Sequence, residues 1–314
     1  MKRSKLFRIL ASYSKILKKT VTHFGANRPV ELAGTTAYFA IFSIAPILII
    51  IISVFGYFTG SAAIRDKLFT ELNVLIGTES SRVLQHAIDN YQIANKSGIG
   101  AIIGVVFFLI SATTLFSTMQ NSINYIWRVQ VKSNLKMNIF MLLKDRLFSF
   151  GVILSLGFIL LVSLVADASI AFLKDILRTY FSPHLIILAQ IANIFLSLGL
   201  ISVGFTIIYR FLPDVKVRWS PSWFGGIFTA IMFVLGKILI GIIIGSSNLG
   251  AVYGAASSFI IILLWIYYAS LIFYFGVELT HQFSIYYKHE NPPVNYAVPF
   301  EITALERSKH QDEP

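Results

Sequence analysis

The sequence contains no cysteine, which excludes disulfides, thiolate nucleophiles and cysteine-ligated zinc without fixing the compartment. Charge is scarce too. Asp, Glu, Lys and Arg make up 13% of the 314 residues, about half of the roughly 25% usual in soluble domains, while 56% are hydrophobic. A soluble chain of this length would need far more charge to cover its outside, so the surplus apolar surface is expected to face lipid. Catalytic signatures are missing as well. Neither H-E-x-x-H, a P-loop nor a Gly-x-Ser-x-Gly elbow occurs, and the histidines at 23, 86, 184, 281, 289 and 310 never take the i, i+4 spacing that pairs two imidazoles on one helix face. The chain is therefore read as a non-enzyme, with no catalytic residue, cofactor or metal ligand assigned.

What is there is a series of long apolar runs. Six of them reach the roughly 20 residues that a spanning helix needs: 31–58, 99–126, 147–167, 185–209, 223–245 and 254–277. Pro46 interrupts the first, removing a backbone donor in mid-span. The fold class is all-α, a polytopic membrane bundle of about six transmembrane helices with a small helical periplasmic segment. The segment 60–98 supplies the latter. Ile64, Leu68, Leu72 and Leu75, then Leu84, Ala87, Ile88 and Tyr91, have helical spacing and predict two short amphipathic helices, read as a cap on the bundle ahead of a substrate gate.

The net charge of +11 raises nucleic acid and anionic membrane as partners, and position decides for the membrane. With the N-terminus inside, the inner segments carry 19 Lys and Arg against 6 in the outer ones, as the retention of positive charge in the cytoplasm requires. Both termini are accordingly expected in the cytoplasm of a bacterial cell, the protein being multi-pass in the inner membrane. Residues 1–28 lack the unbroken apolar core of a cleaved signal. Leu6, Leu10, Tyr13, Leu17, Val21 and Phe24 alternate there with lysines and arginines, which predicts a basic amphipathic helix on the inner membrane surface, bound to anionic lipids. The domain reading is 1–28 for this helix, 29–284 for the transmembrane domain and 285–314 for a polar, proline-bearing tail expected to be disordered.

Polar groups within the apolar runs are costly and therefore informative. Ser111, Thr114, Ser117, Asn121 and Asn124 fall on one helix face, either gluing the bundle by interhelical hydrogen bonds or lining a polar cavity. Lys237, fourteen residues beyond Trp223, lies about 21 Å along its helix, in the outer half of the bilayer. It would either snorkel to the headgroups or pair with Asp167 or an anionic substrate group. Glu278 near an inner helix end would pair with Arg128 or Arg210. Lys237, Asp167, Asn121, Asn124 and Glu278 form the candidate intramembrane polar site. Gly56/Gly60, Gly100/Gly104, Gly241/Gly245 and Gly250/Gly254 have the Gly-x-x-x-Gly spacing of close helix contacts.

Several segments taken together carry a resemblance: LAGTTAYFAIFSIAP at Leu32–Pro46, SATTLFSTMQNSINYIW at Ser111–Trp127, YRFLP at Tyr209–Pro213, and Gly254–Leu279 with LLWIYY and GVEL. Jointly they make the chain similar to the YihY/BrkB family of bacterial inner-membrane proteins, some formerly labelled ribonuclease BN, from about Leu32 to Glu278. The resemblance implies a six-helix inner-membrane protein, linked in some members to virulence or envelope phenotypes, and hands over no catalytic residue. The ribonuclease label finds no acidic cluster or histidine pair to hold hydrolytic metal ions. The expected function is a transporter or exporter of an amphiphilic or lipid-related small solute, with an envelope scaffold or assembly factor as the alternative.

Overall fold

The computed structural model describes residues 2–94, 98–132, 183–246 and 253–301, together with 147, 151, 155, 158 and 162. Its architecture is a helix bundle. The helices are α1 (Lys2–Ala26), α2 (Pro29–Thr59), α3 (Ser61–Ile76), α4 (Thr78–Ala94), α5 (Gly98–Ile126), α6 (Pro183–Phe211), α7 (Trp219–Ser246) and α8 (Ser257–Tyr286). Four of them, α2, α6, α7 and α8, are long and apolar enough to cross a membrane. These four are counted among the described residues, and the expected six is neither reached nor overturned by them. The stretch 99–126 does form a helix, the 29-residue α5, whereas 147–167 lies almost wholly outside the described residues. Pro46 sits inside α2, which runs unbroken from Pro29 to Thr59.

Two hydrophobic cores divide the bundle lengthwise. At one end Leu48, Ile51, Ile52 and Phe55 of α2 meet Ile64, Leu68 and Phe69 of α3, Leu84 and Ile88 of α4, Ile240 of α7, and Ile262 and Trp265 of α8. The 60–98 segment is thus the expected pair of amphipathic helices, folded as a hairpin about Gly77 and capping the bundle. Gly77 has φ +80°, a conformation that side-chain-bearing residues rarely adopt. At the other end Ile123, Trp127, Tyr209, Leu212, Val215, Phe273, Tyr274 and Val277 form the second core. We refer to these as the hairpin end and the polar end.

Of the glycines in the expected pairs, Gly56 closely approaches Ser61 at the start of α3, while Gly60 and Gly254 have open space among the described residues. The surroundings of Gly100, Gly104, Gly241, Gly245 and Gly250 lie outside the described residues, and close approach occurs at further glycines as well. A Cβ on Gly276 of α8 would collide with Thr229 Oγ1 of α7 and the Tyr209 hydroxyl of α6, and one on Gly226 of α7 would meet Ser202 and Thr206 of α6. The packed helices also bond through that junction, Tyr209 donating to the Phe273 carbonyl at 2.9 Å and facing Thr229 Oγ1 at 2.9 Å.

Helix α1 does not lie apart from the bundle. It runs back along the last turns of α8, with Ile16 buried among Leu279, Phe283, Phe224 and Tyr286, and the Tyr286 hydroxyl 3.0 Å from Ser12 Oγ. Tyr13 stacks on Phe224 of α7 at 5.2 Å. The docking stripe is Ile16, Thr20 and Asn27, while Tyr13, Leu17 and Val21 of the apolar stripe expected to meet lipid remain exposed. Of the tail expected to be disordered, residues 285–301 are described and pack in order, while 302–314 lie outside the described residues. Residues 297–299 pair antiparallel with Val129–Val131, in the register Val129↔Pro299 and Val131↔Ala297, and Pro293 bridges Val215. Val294 N–H donates to the Asp214 carbonyl and Lys216 N–H to that of Pro292. A proline-rich composition suggests disorder, but prolines at the edge of a two-stranded ribbon sacrifice little, since their missing N–H falls on an unpaired side.

Candidate functional site

The polar end is where buried polar side chains converge from distant parts of the chain. Helix α1 closes at Asn27, α5 closes at Arg128 and α8 closes at Lys288. Arg28, Arg128 and Lys288 have φ of 52°, 56° and 51°, and they are the non-glycine residues with positive φ among those described. Each such conformation costs roughly 1–2 kcal/mol for a side-chain-bearing residue. At α8 the reversal is a Schellman-type cap, His289 N–H donating to the Ser284 carbonyl at 2.9 Å. Gathering this strain at one end marks it as a place held by its surroundings.

Two carboxylates anchor the polar end. Glu278, 1% exposed, accepts from Asn27 Nδ2 at 2.8 Å and from Gln282 Nε2 at 2.8 Å. Arg128 reaches it indirectly, since its Nη2 donates to Asn27 Oδ1 at 2.6 Å. The expected Glu278–Arg128 pair is therefore relayed through an amide, and Arg210 instead lies over the Trp219 ring and donates to the Val217 carbonyl. The second carboxylate, Asp214, escapes the sequence reading. It accepts from Asn124 Nδ2 at 2.7 Å, from Gln120 Nε2 at 3.1 Å and from the Tyr296 hydroxyl at 2.8 Å, and its own N–H donates to Asn124 Oδ1. One side chain thus fastens α5, the turn after α6 and the tail.

The four described candidates, Lys237, Asn121, Asn124 and Glu278, do not form one site. Asn124 and Glu278 both lie at the polar end, in separate networks. Lys237 lies toward the hairpin end, its Nζ 3.9 Å from Glu71 of α3, which also accepts from Lys67 at 3.0 Å. The cap reaches over the bundle edge and supplies the carboxylate that the sequence reading seeks in Asp167. Asp167 is outside the described residues. Asn121 is exposed, and so the face expected to unite Ser111, Thr114, Ser117, Asn121 and Asn124 is split. Ser111 and Asn124 turn inward, the former accepting at its carbonyl from Ser43 Oγ at 2.6 Å. Asn121 is exposed among the described residues, while Thr114 and Ser117 are half-buried and Thr114 Oγ1 donates to the Ile110 carbonyl at 2.8 Å.

Near the Arg128 turn, Trp127, Arg128, Val129, Asn291, Pro293, Pro299, Phe300 and Glu301 line an open cavity of about 540 Å³. Among the described residues no group of three His, Asp or Glu is placed to hold a metal ion.

Comparison with known proteins gives this arrangement a context. The family described as virulence factor BrkB matches residues 20–297. A UPF0761 membrane protein of Legionella pneumophila is 23% identical over 280 residues, 88% of this chain and 64% of its own length. A second, from Vibrio parahaemolyticus, is 27% identical over 283 residues, covering 88% of this chain and 83% of that protein. A third, from Acinetobacter baylyi, is 25% identical over 266 residues, or 84% of this chain. The chain thus spans less than two thirds of the length of the Legionella relative. No solved structure matches.

Proposed function

The chain belongs to the virulence factor BrkB family, its relatives being membrane proteins, and from that premise we propose that it transports or exports an amphiphilic or lipid-related small solute. The observation that carries this reading is the partly exposed polar stripe Thr114, Ser117 and Asn121 on α5. Three polar side chains at successive turns of an apolar helix are costly against hydrocarbon, and such residues in spans generally face water, a neighbour or a translocated molecule. An amphiphile suits such a face, its polar part following the stripe while its apolar part stays among the hydrophobic residues of the bundle. In this reading the membrane is the bacterial inner membrane, both termini are cytoplasmic, and no covalent chemistry is performed.

The alternative, an envelope scaffold or assembly factor, draws support from the polar end, where amide and carboxylate side chains fasten α1, α5, α8 and the tail into one surface. Proteoliposomes separate the two. Flux of a fluorescent lysophospholipid above that of protein-free vesicles, lowered by Asn121→Leu with folding retained, is the expected result. Binding of envelope proteins without flux across a panel of amphiphiles favours the scaffold.

A further inference from the structure

A second concave site lies between α1 and the end of α8. Lys15, Lys18, Lys19, Thr22 and His23 of α1 and Tyr286 of α8 line a cavity of about 360 Å³. Three lysines, a histidine, a threonine and a tyrosine line it, largely through their carbon atoms, and none of the lining residues is acidic. Lys15, Lys18 and Lys19 have no ion pair among the described residues, so their charges stand together uncompensated. Like charges at such spacing repel, and a bound anion would remove that cost.

The cavity exists only because α1 is docked. Ile16 and Thr20, buried against α8, hold the basic flank of α1 beside Tyr286, and the Asn27–Glu278 hydrogen bond fixes the far end of the same helix. Its walls are mostly aliphatic lysine stems and the Tyr286 ring, with cationic heads above them. Depth points to the membrane surface. Trp219 and Trp223 are exposed on the first turn of α7, as aromatic residues at a headgroup layer are, and Phe224 of that turn carries the stacked Tyr13 of α1.

We propose that this cavity is a binding site for a phosphate group, in a phospholipid headgroup or a soluble phosphate, seated between Lys15, Lys18, Lys19 and His23. Phosphate oxygens would accept from the ammonium groups and from the His23 ring, and the aliphatic floor would take the ester carbon next to the phosphate. Because the site closes on the α1–α8 contact, binding holds α1 against the bundle. The proposal is independent of the transport reading, since flux is not its measure.

The test labels lysines with an amine-acetylating reagent on the full chain in nanodiscs, with site occupancies read by mass spectrometry. Three arms compare the phosphate-free glycolipid digalactosyldiacylglycerol alone, the same glycolipid with added inorganic phosphate, and the glycolipid mixed with phosphatidylglycerol. Selective protection of Lys15, Lys18 and Lys19 relative to Lys216 and Lys288 is expected in at least one of the last two arms. Protection by inorganic phosphate identifies a soluble ligand, and protection by phosphatidylglycerol alone a lipid headgroup. Lys19→Gln should weaken protection of Lys15 and Lys18 about fivefold, as the loss of one cation near an anionic group predicts, whereas Lys288→Gln should not. Uniform protection of all lysines, absence of protection in both arms, or indifference to Lys19→Gln overturns the site.

Discussion

At the scale of single residues, Asp214 shows how a carboxylate organises an interior without a visible sequence motif. Gln120, Asn124 and Tyr296 each direct a donor at it. Removing the acceptor leaves those buried donors unpaired, at roughly 1–3 kcal/mol apiece where water cannot replace it. Asp214→Ala should therefore destabilise the protein by about 3 kcal/mol or more, with Asp214→Asn milder, measured as unfolding in detergent. An Ala variant that unfolds like the parent would show the network to be dispensable. Lys237 offers the contrasting case. Its partner Glu71 is 3.9 Å away, and both side chains are about a third exposed, 32% and 39%. A double-mutant cycle with Lys237→Met and Glu71→Gln should return a coupling of about 1 kcal/mol or less, and a larger value would mean a drier site. Lys237 is visible in the sequence because a cation stands out in an apolar run. Asp214 is not, because its position just past YRFLP looks like an ordinary loop acid and its donors come from positions 82 to 94 residues away.

At the scale of elements, what depends on local pattern is legible in the sequence and what depends on docking is not. The α3–α4 hairpin follows from leucines and isoleucines at helical spacing, whose burial needs only a nearby apolar surface. The stripe on α5 is legible as polar, but a wide helical face cannot show which edge meets the core, and so Asn124 goes inward and Asn121 outward. The docking of α1 and the pairing of residues 292–300 are not legible for the same reason, their partners being α8 in one case and the loops at 129–131 and 214–216 in the other. Gly276→Ala should drive α7 and α8 apart, because the added methyl overlaps Thr229 and Tyr209. Overpacking of this kind costs typically about 1–3 kcal/mol, to be read as a lowered melting temperature. Gly199→Ala, with open space around its Cβ among the described residues, is the matched control and should leave stability unchanged or slightly raised. Equal effects of the two would contradict the packing described.

At the scale of the whole molecule, the described bundle has one end capped by amphipathic helices and the other tied by hydrogen-bonded carboxylates. The charge bias predicts that reporters joined after residue 290 report the cytoplasm and that reporters inserted within 60–98 report the periplasm. An opposite result at either place inverts the orientation. The natural absence of cysteine makes the decisive experiment direct, because a single introduced thiol is the sole target of a maleimide. The most direct test of the transport reading is the reactivity of Asn121→Cys and Ser117→Cys toward a membrane-impermeant maleimide in intact proteoliposomes. The account predicts labelling at both positions, slowed by an amphiphilic solute that the protein carries, with Ile110→Cys unreactive. If the thiols introduced at positions 117 and 121 are as inert as the one at position 110, the α5 stripe faces lipid or a packed neighbour, and the transport reading loses the observation on which it stands.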